Sequence, residues 1–164
     1  MKKRSIMLII TLTVLIIAIC VCLVVFLVNK NAIKKDEKIS ISLDELDKKI
    51  DQSNEFEFSK MNQINGEEAS AKLLIDKSKI KNIIGREPIV HTKSSMYMII
   101  ETDSDSIQDV KLALESYGSE YDEEWKSYLP DQYELVKNRE IGIRGNYVYM
   151  IVSENPEKIL ELIK

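Results

Sequence analysis

Glu140-Ile141-Gly142-Ile143-Arg144-Gly145-Asn146-Tyr147-Val148-Tyr149-Met150-Ile151-Val152 is the stretch whose reading decides the fold. Ile141 and Ile143 alternate with Glu140, Gly142 and Arg144, the period of a strand with one buried face. Tyr147 to Val152 is apolar at every position, which predicts a strand buried on both faces. Gly145-Asn146 lies between them as a two-residue hairpin signal, because glycine reaches the positive φ that so tight a turn demands. The stretch therefore predicts an antiparallel hairpin.

Downstream, Pro156 stands in the first turn of a last helix carrying Ile159, Leu160 and Ile163. The missing N–H of proline has no helical partner at that position anyway. Upstream, Ile107, Val110, Leu114, Tyr117, Tyr121, Trp125 and Tyr128 recur at steps of three or four. They predict one long amphipathic helix over about 105–128, ended by Pro130. Thr102 to Ser106 reads as its start, with Ser106 and Asp109 in a capping arrangement. Gly118 inside it costs about 1 kcal/mol relative to alanine, which implies that another element passes close by. Before this helix, Met96 to Ile100 is apolar on both alternating faces and predicts a central strand.

Ile80, Ile83, Ile84, Ile89 and Val90 mark an extended stretch, with Pro88 arguing for an edge strand or an interruption. Asn65-Gly66 is a turn signal, and residues 67–76 follow as a helix with acids in its first turn. Phe56 and Phe58 alternate with Glu55 and Glu57, suggesting a short strand or extended segment that tucks both rings onto the core. Ser42 with Glu45 has the form of a capping box, and Leu43, Leu46 and Ile50 share one face of a first helix to about residue 51. From residue 80 the order is strand, strand, helix, strand, strand, helix. An α+β class follows: a layered domain with an antiparallel or mixed sheet of about four strands and packed helices.

The chain ahead of this domain is of another kind. Residues 6–28 carry no charge, proline or glycine, and 17 of these 23 are Leu, Ile, Val or Phe. At 1.5 Å per residue the run spans roughly 35 Å, more than the ~30 Å hydrocarbon core of a bilayer. Insertion is favourable by roughly 5–8 kcal/mol. The run is longer than the apolar core of a cleaved signal, and Asn29-Lys30-Asn31-Ala32 after Val28 forms no small-x-small cleavage site. Cys20 and Cys22 follow Ile19 and Val21, whereas a lipoprotein signal needs a small residue there. The expected organisation is a cytoplasmic basic tail at 1–5, a transmembrane helix at 6–28 and a linker at 29–40. An extracytoplasmic domain then occupies 41–164. Basic residues flank the run on both sides, so the orientation rests on the short basic tail before a long apolar run, the layout of a signal-anchor.

Both cysteines lie inside the apolar run, so the domain has neither a disulfide framework nor a thiolate metal site. Without Lys2, Lys3 and Arg4 the 23 basic residues fall to 20 against 27 acidic ones, a formal charge of −7 for residues 29–164. Such a domain is repelled by phosphate backbones, which disfavours nucleic acid as a partner. The expected partners are the lipid bilayer, through residues 6–28, and another envelope protein.

Several short motifs fall in a spaced series: Tyr128-Leu129-Pro130-Asp131-Gln132-Tyr133, Leu135-Val136-Lys137-Asn138, Gly145-Asn146-Tyr147-Val148, and Val152-Ser153-Glu154 before the terminal helix. In their order and spacing the chain resembles the bacterial family catalogued as domain of unknown function 4358, small envelope proteins of Gram-positive anaerobes. The likeness runs over about residues 40–164 and is strongest over 105–164. Many members look like lipoproteins, and this chain departs from them in having a plain apolar run. The resemblance implies an anchored extracytoplasmic domain and carries over no activity, cofactor or site residue.

Residues that could carry chemistry are sparse. His91 is the one histidine, and a lone histidine near a strand end is more commonly structural than a base or ligand; zinc sites use three or four ligands. Thr102-Asp103-Ser104-Asp105 lacks the glycine and the distal glutamate of an EF-hand loop. Asp122, Glu123 and Glu124 read as a solvated helix face. No catalytic residues, cofactor or metal are expected, so the reading is non-enzymatic; the alternative is an envelope hydrolase or ligand-sensing domain using carboxylates such as Glu101 or Asp105. Tyr117, Tyr121, Trp125 and Tyr128 read first as core. Because Trp and Tyr are enriched at binding hot spots, the end of this helix is the candidate partner-binding surface, with Tyr128, Leu129, Pro130 and Tyr133 as its residues.

Overall fold

Residues 41–163 are described by the computed structural model; the apolar run at 6–28 and the linker at 29–40 lie outside them. Among the described residues no helix is long and apolar enough to cross a membrane. Helix α1 (Leu43–Gln52) starts where expected, with the Ser42 hydroxyl accepting the Glu45 N–H at 3.3 Å. Phe56 and Phe58 are not in a strand. Phe58–Lys60 is a single 3₁₀ turn, and strand β1 (Met61–Gln63) begins only after it. The two rings still reach the interior, with centroids 5.0 and 6.2 Å from that of Tyr97.

Asn65 proves to be a helix N-cap rather than a free turn. Its side chain accepts the Glu67 and Glu68 N–H groups, and Glu68 accepts the Asn65 N–H in return, opening helix α2 (Gly66–Leu73). This helix is shorter than expected, because Leu74 turns left-handed at φ 53° and stops it. Strand β2 (Asn82–Pro88) is interior, not an edge; Pro88 is its last residue, where a missing donor costs least. Strand β3 (Met96–Glu101) is central as expected.

The long helix divides in two. Helix α3 (Ile107–Trp125) ends before Leu129, which is extended at φ −136° and ψ 108°. A residue ahead of proline is pushed out of the helical region by the pyrrolidine ring. Pro130 then opens helix α4 (Pro130–Lys137) at its first position, so it begins an element the sequence reading lacks as well as closing the one before. Nor does Ser106 cap α3 as expected: it makes no side-chain cap bond. Strand β4 (Glu140–Arg144), strand β5 (Tyr147–Val152) and helix α5 (Pro156–Leu162) follow as read. Gly145 alone in the hairpin turn has positive φ, 58°.

The sheet has five strands in the order β1-β2-β3-β5-β4, with every neighbouring pair antiparallel, where about four strands and a mixed sheet were open. Side chains alternate across it, and both faces are covered. Met96, Met98 and Ile100 of β3 join Val148, Met150 and Val152 of β5 in a core roofed by α2, α3 and α4. Tyr97 and Ile99 join Tyr147, Tyr149 and Ile151 on the other face, under α1 and α5. The result is a helix–sheet–helix sandwich. Leu46 and Ile50 of α1 are fully buried, so truncating either to alanine costs about 2–5 kcal/mol. Glu55, with only 5% of its side chain exposed, accepts the Asn155 N–H at 2.7 Å and Lys158 Nζ at 3.3 Å, fastening the end of α1 to the start of α5.

Candidate partner-binding surface

Helix α3 and the turn after it carry a run of aromatic rings that passes from core to solvent. Tyr117 and Tyr121 are 6.0 Å apart, Tyr121 and Trp125 5.9 Å, and Trp125 and Tyr128 5.7 Å. Tyr121 and Trp125 are buried, Tyr117 is half-buried and Tyr128 is 55% exposed. The structure therefore divides the group: its inner members pack, and its last member is surface. Burial pushes the Tyr117 hydroxyl up to about 12, helped by Glu87, Glu124 and Glu120. Burial likewise raises that of Tyr121, which donates to the Ser94 carbonyl at 3.1 Å. Trp125 Nε1 is buried without a hydrogen-bond partner among the described residues.

The four candidate residues come together at the corner between α3 and α4. Leu129 and Tyr133 are half-buried, Pro130 is exposed, and the Tyr133 N–H closes the first turn of α4 on the Leu129 carbonyl at 2.9 Å. This corner is held to the sheet by the buried Ser94. Its N–H donates to Gln132 Oε1 at 2.8 Å and its hydroxyl to the Gln132 carbonyl at 3.0 Å. Ser94 lies in the β2–β3 loop, which also exposes Ile89 (52%) and Val90 (49%). A cleft of about 350 Å³ beside that loop is lined by Phe56, Lys60, Met61, Pro88, Val90 and Lys93, among others.

All of this lies at one end of the sheet, the end where β3 begins. Ile41, the first described residue, lies at the other end, where Tyr147, paired with Glu101 at the close of β3, donates its hydroxyl to the Ile41 carbonyl at 3.0 Å. The two ends are about 17 Å apart along β3 at 3.3 Å per residue.

The remaining candidates do not converge. His91 is exposed in the β2–β3 loop. Glu101 accepts Asn146 Nδ2 at 3.0 Å, Asp103 pairs with Lys81 at 2.9 Å, and Asp105 is exposed and accepts the neighbouring Ser104 hydroxyl, at 3.3 Å. Among the described residues no three His, Cys, Asp or Glu are grouped as a metal site would need. Asp122 corrects the reading of a solvated acidic face: it is half-buried and binds Arg139 through both carboxylate oxygens at 2.8 Å. That pair explains Gly118, where an added Cβ would lie 2.6 Å from Arg139 Nε and 3.1 Å from Ile141 Cδ1.

One polar cluster was not foreseen. Tyr97, fully buried, donates its hydroxyl to Asp47 Oδ1 at 2.5 Å, and Arg86 Nη2 donates to Oδ2 at 2.9 Å while lying 3.9 Å over the Phe58 ring. Burial first, then the Asp47 bond, raise the Tyr97 hydroxyl far above the ordinary phenol value. Both Asp47 oxygens are engaged, so the cluster fastens α1 to the sheet. A neighbouring cleft of about 330 Å³ is lined by Asp44, Asp47, Lys48 and Gln63 with Ile84 and Gly85, among others.

No curated protein and no solved structure matches the chain. The family model described as Domain of unknown function (DUF4358) matches residues 53–153, a segment that starts after α1 and stops before α5. It contains the whole sheet and the α3–α4 corner, and on that match the chain belongs to the DUF4358 family.

Proposed function

We propose that this is a membrane-tethered, extracytoplasmic and non-enzymatic interaction domain, which docks an envelope protein on the surface around Tyr128. The observation that carries the reading is that Tyr128, 55% exposed, stands at the α3–α4 corner that Ser94 ties to the β2–β3 loop, where Ile89 and Val90 are also about half exposed. The contact of the Trp125 ring with Tyr128 and the Ser94–Gln132 bonds hold the surface rigid, which lowers the entropy lost on binding. Tethering confines the domain to two dimensions and raises its effective concentration for membrane neighbours.

Proximity labelling from the C-terminus of the full chain is expected to enrich an envelope protein. Tyr128→Ala is expected to weaken its capture about tenfold, the scale of a single hot-spot residue, while leaving thermal stability unchanged. Unaltered capture, or a melting point that falls with it, removes Tyr128 from the docking surface. Added protease is expected to cleave the domain in intact cells; full protection defeats the extracytoplasmic placement.

A further inference from the structure

Strand β4 is an edge of the sheet, and no other described strand pairs with its outer side. The orientation of its backbone follows from parity. The Thr102 N–H donates to the Asn146 carbonyl, so even-numbered positions of the β5 strand bond toward β3 and odd ones toward β4. Tyr147, Tyr149 and Ile151 are thus bonded to Arg144, Gly142 and Glu140. The N–H and C=O groups of Ile141 and Ile143 consequently point away from the sheet, the pattern that templates a further strand.

The side chains along this edge are self-complementary. Glu140 and Arg144 stand symmetrically about Gly142, and neither forms an ion pair among the described residues. We infer that β4 is a self-recognition edge, on which two copies of this chain pair antiparallel about a two-fold axis at Gly142. Ile141 then lies opposite Ile143 of the second copy, and the outward N–H and C=O groups of both strands bond to each other. Glu140 faces Arg144 of the second copy at each end, and opposite charges directly across a strand pair are stabilising.

At the axis the two glycines form a close pair that is not hydrogen-bonded, with Cα atoms about 4.5 Å apart and no side chains to crowd it. A slip by two residues would set Glu140 opposite Gly142 and break both charge pairs, while a slip by one would set the outward groups of each strand opposite residues whose own groups are bonded to β5. Ile141 and Ile143, each partly buried against the α3 side of the sheet, would extend that core across the joint. Five residues per copy is small beside an ordinary interface of about 1,600 Å², so the dimer is a weak one that grows with local concentration.

Sedimentation equilibrium of the full chain in mild detergent is expected to show a monomer–dimer equilibrium. Glu140→Arg sets like charges opposite each other at both ends and is expected to weaken the dimer about tenfold. Mixing that chain with the Arg144→Glu chain should restore it, because every facing pair is again opposite in sign. Arg144 also bonds the Ile163 carbonyl at the end of α5, at 2.9 Å, so its variant tests folding as well. Ile143→Pro removes one outward donor and no bond to the β5 strand; it is expected to give a monomer with an unchanged circular dichroism spectrum. A wild-type chain that is monomeric throughout, or a dimer that persists in Ile143→Pro, overturns the inference.

Discussion

Tyr97 shows what a single buried polar group does to the molecule. It lies in a strand whose other residues from Met96 to Ile100 are aliphatic or methionine, and its burial is legible from that run. Its partners are not: Arg86 lies 39 residues from Asp47 and Tyr97 50, distances at which sequence carries no pairing signal. Burial, then the Asp47 bond, raise its hydroxyl, and burial holds that of Tyr117 at about 12. The folded state therefore keeps these protons after an unfolded chain, with phenols near ~10, has begun to lose them. The associated stability is complete below the unfolded value and is lost as pH rises through the folded ones. Alkaline titration is expected to show cooperative unfolding between about pH 10 and 12, with tyrosinate absorbance rising in the same step. All seven tyrosines ionising at the ordinary phenol pH in a chain that stays folded would defeat this assignment.

Two helix starts that look alike in sequence behave differently. Asn65 precedes Glu68 by three residues, and Ser106 precedes Asp109 by three. Asn65 is extended at φ −88° and ψ 174°, so its side chain reaches the free N–H groups of α2 at 2.9 and 3.0 Å. Ser106 sits at φ −103° and ψ −7°, which aims its hydroxyl elsewhere, and α3 begins through a turn in which the Ser106 N–H meets the Asp103 carbonyl at 2.9 Å. Asn65→Ala is expected to cost about 1 kcal/mol in urea denaturation and Ser106→Ala less than half of that. Equal losses would show that the backbone of Asn65 matters and its side chain does not. Helix α4 is hidden in the sequence for a related reason. Pro130 has the same sequence signature whether it stops a helix or starts one, and only the extended Leu129 before it shows that it does both.

At the scale of the molecule, the family match and the fold do not end at the same places. Residues 53–153 contain all five strands and α2, α3 and α4, yet Tyr97, Ile99, Tyr149 and Ile151 on the other face are covered by α1 and α5. A sheet with one apolar face bare to water does not hold a cooperative fold. A fragment of residues 53–153 is expected to show no cooperative thermal transition in near-ultraviolet circular dichroism, whereas residues 41–163 show one. A sharp transition in the shorter fragment would mean that the sheet and its first helical layer suffice. Glu55 sharpens the point, since this almost fully buried carboxylate couples the end of α1 to the start of α5 across a separation of 100 residues.

The sequence by itself determined the class, the β4–β5 hairpin, the central β3 strand and the two helices at the ends of the domain. Each rests on local periodicity, a cap or a turn residue, and those act over a few neighbouring positions. It also determined the family, because its spaced motifs, as far as Ser153, lie within one matched segment. Only the tertiary structure decided that Pro88 closes an interior strand, that Tyr121 and Trp125 are core while Tyr128 is surface, and that Asp47 and Glu55 are anchored. Those outcomes depend on which distant segments lie alongside, and burial is a property of the assembled layers that no short stretch of chain encodes.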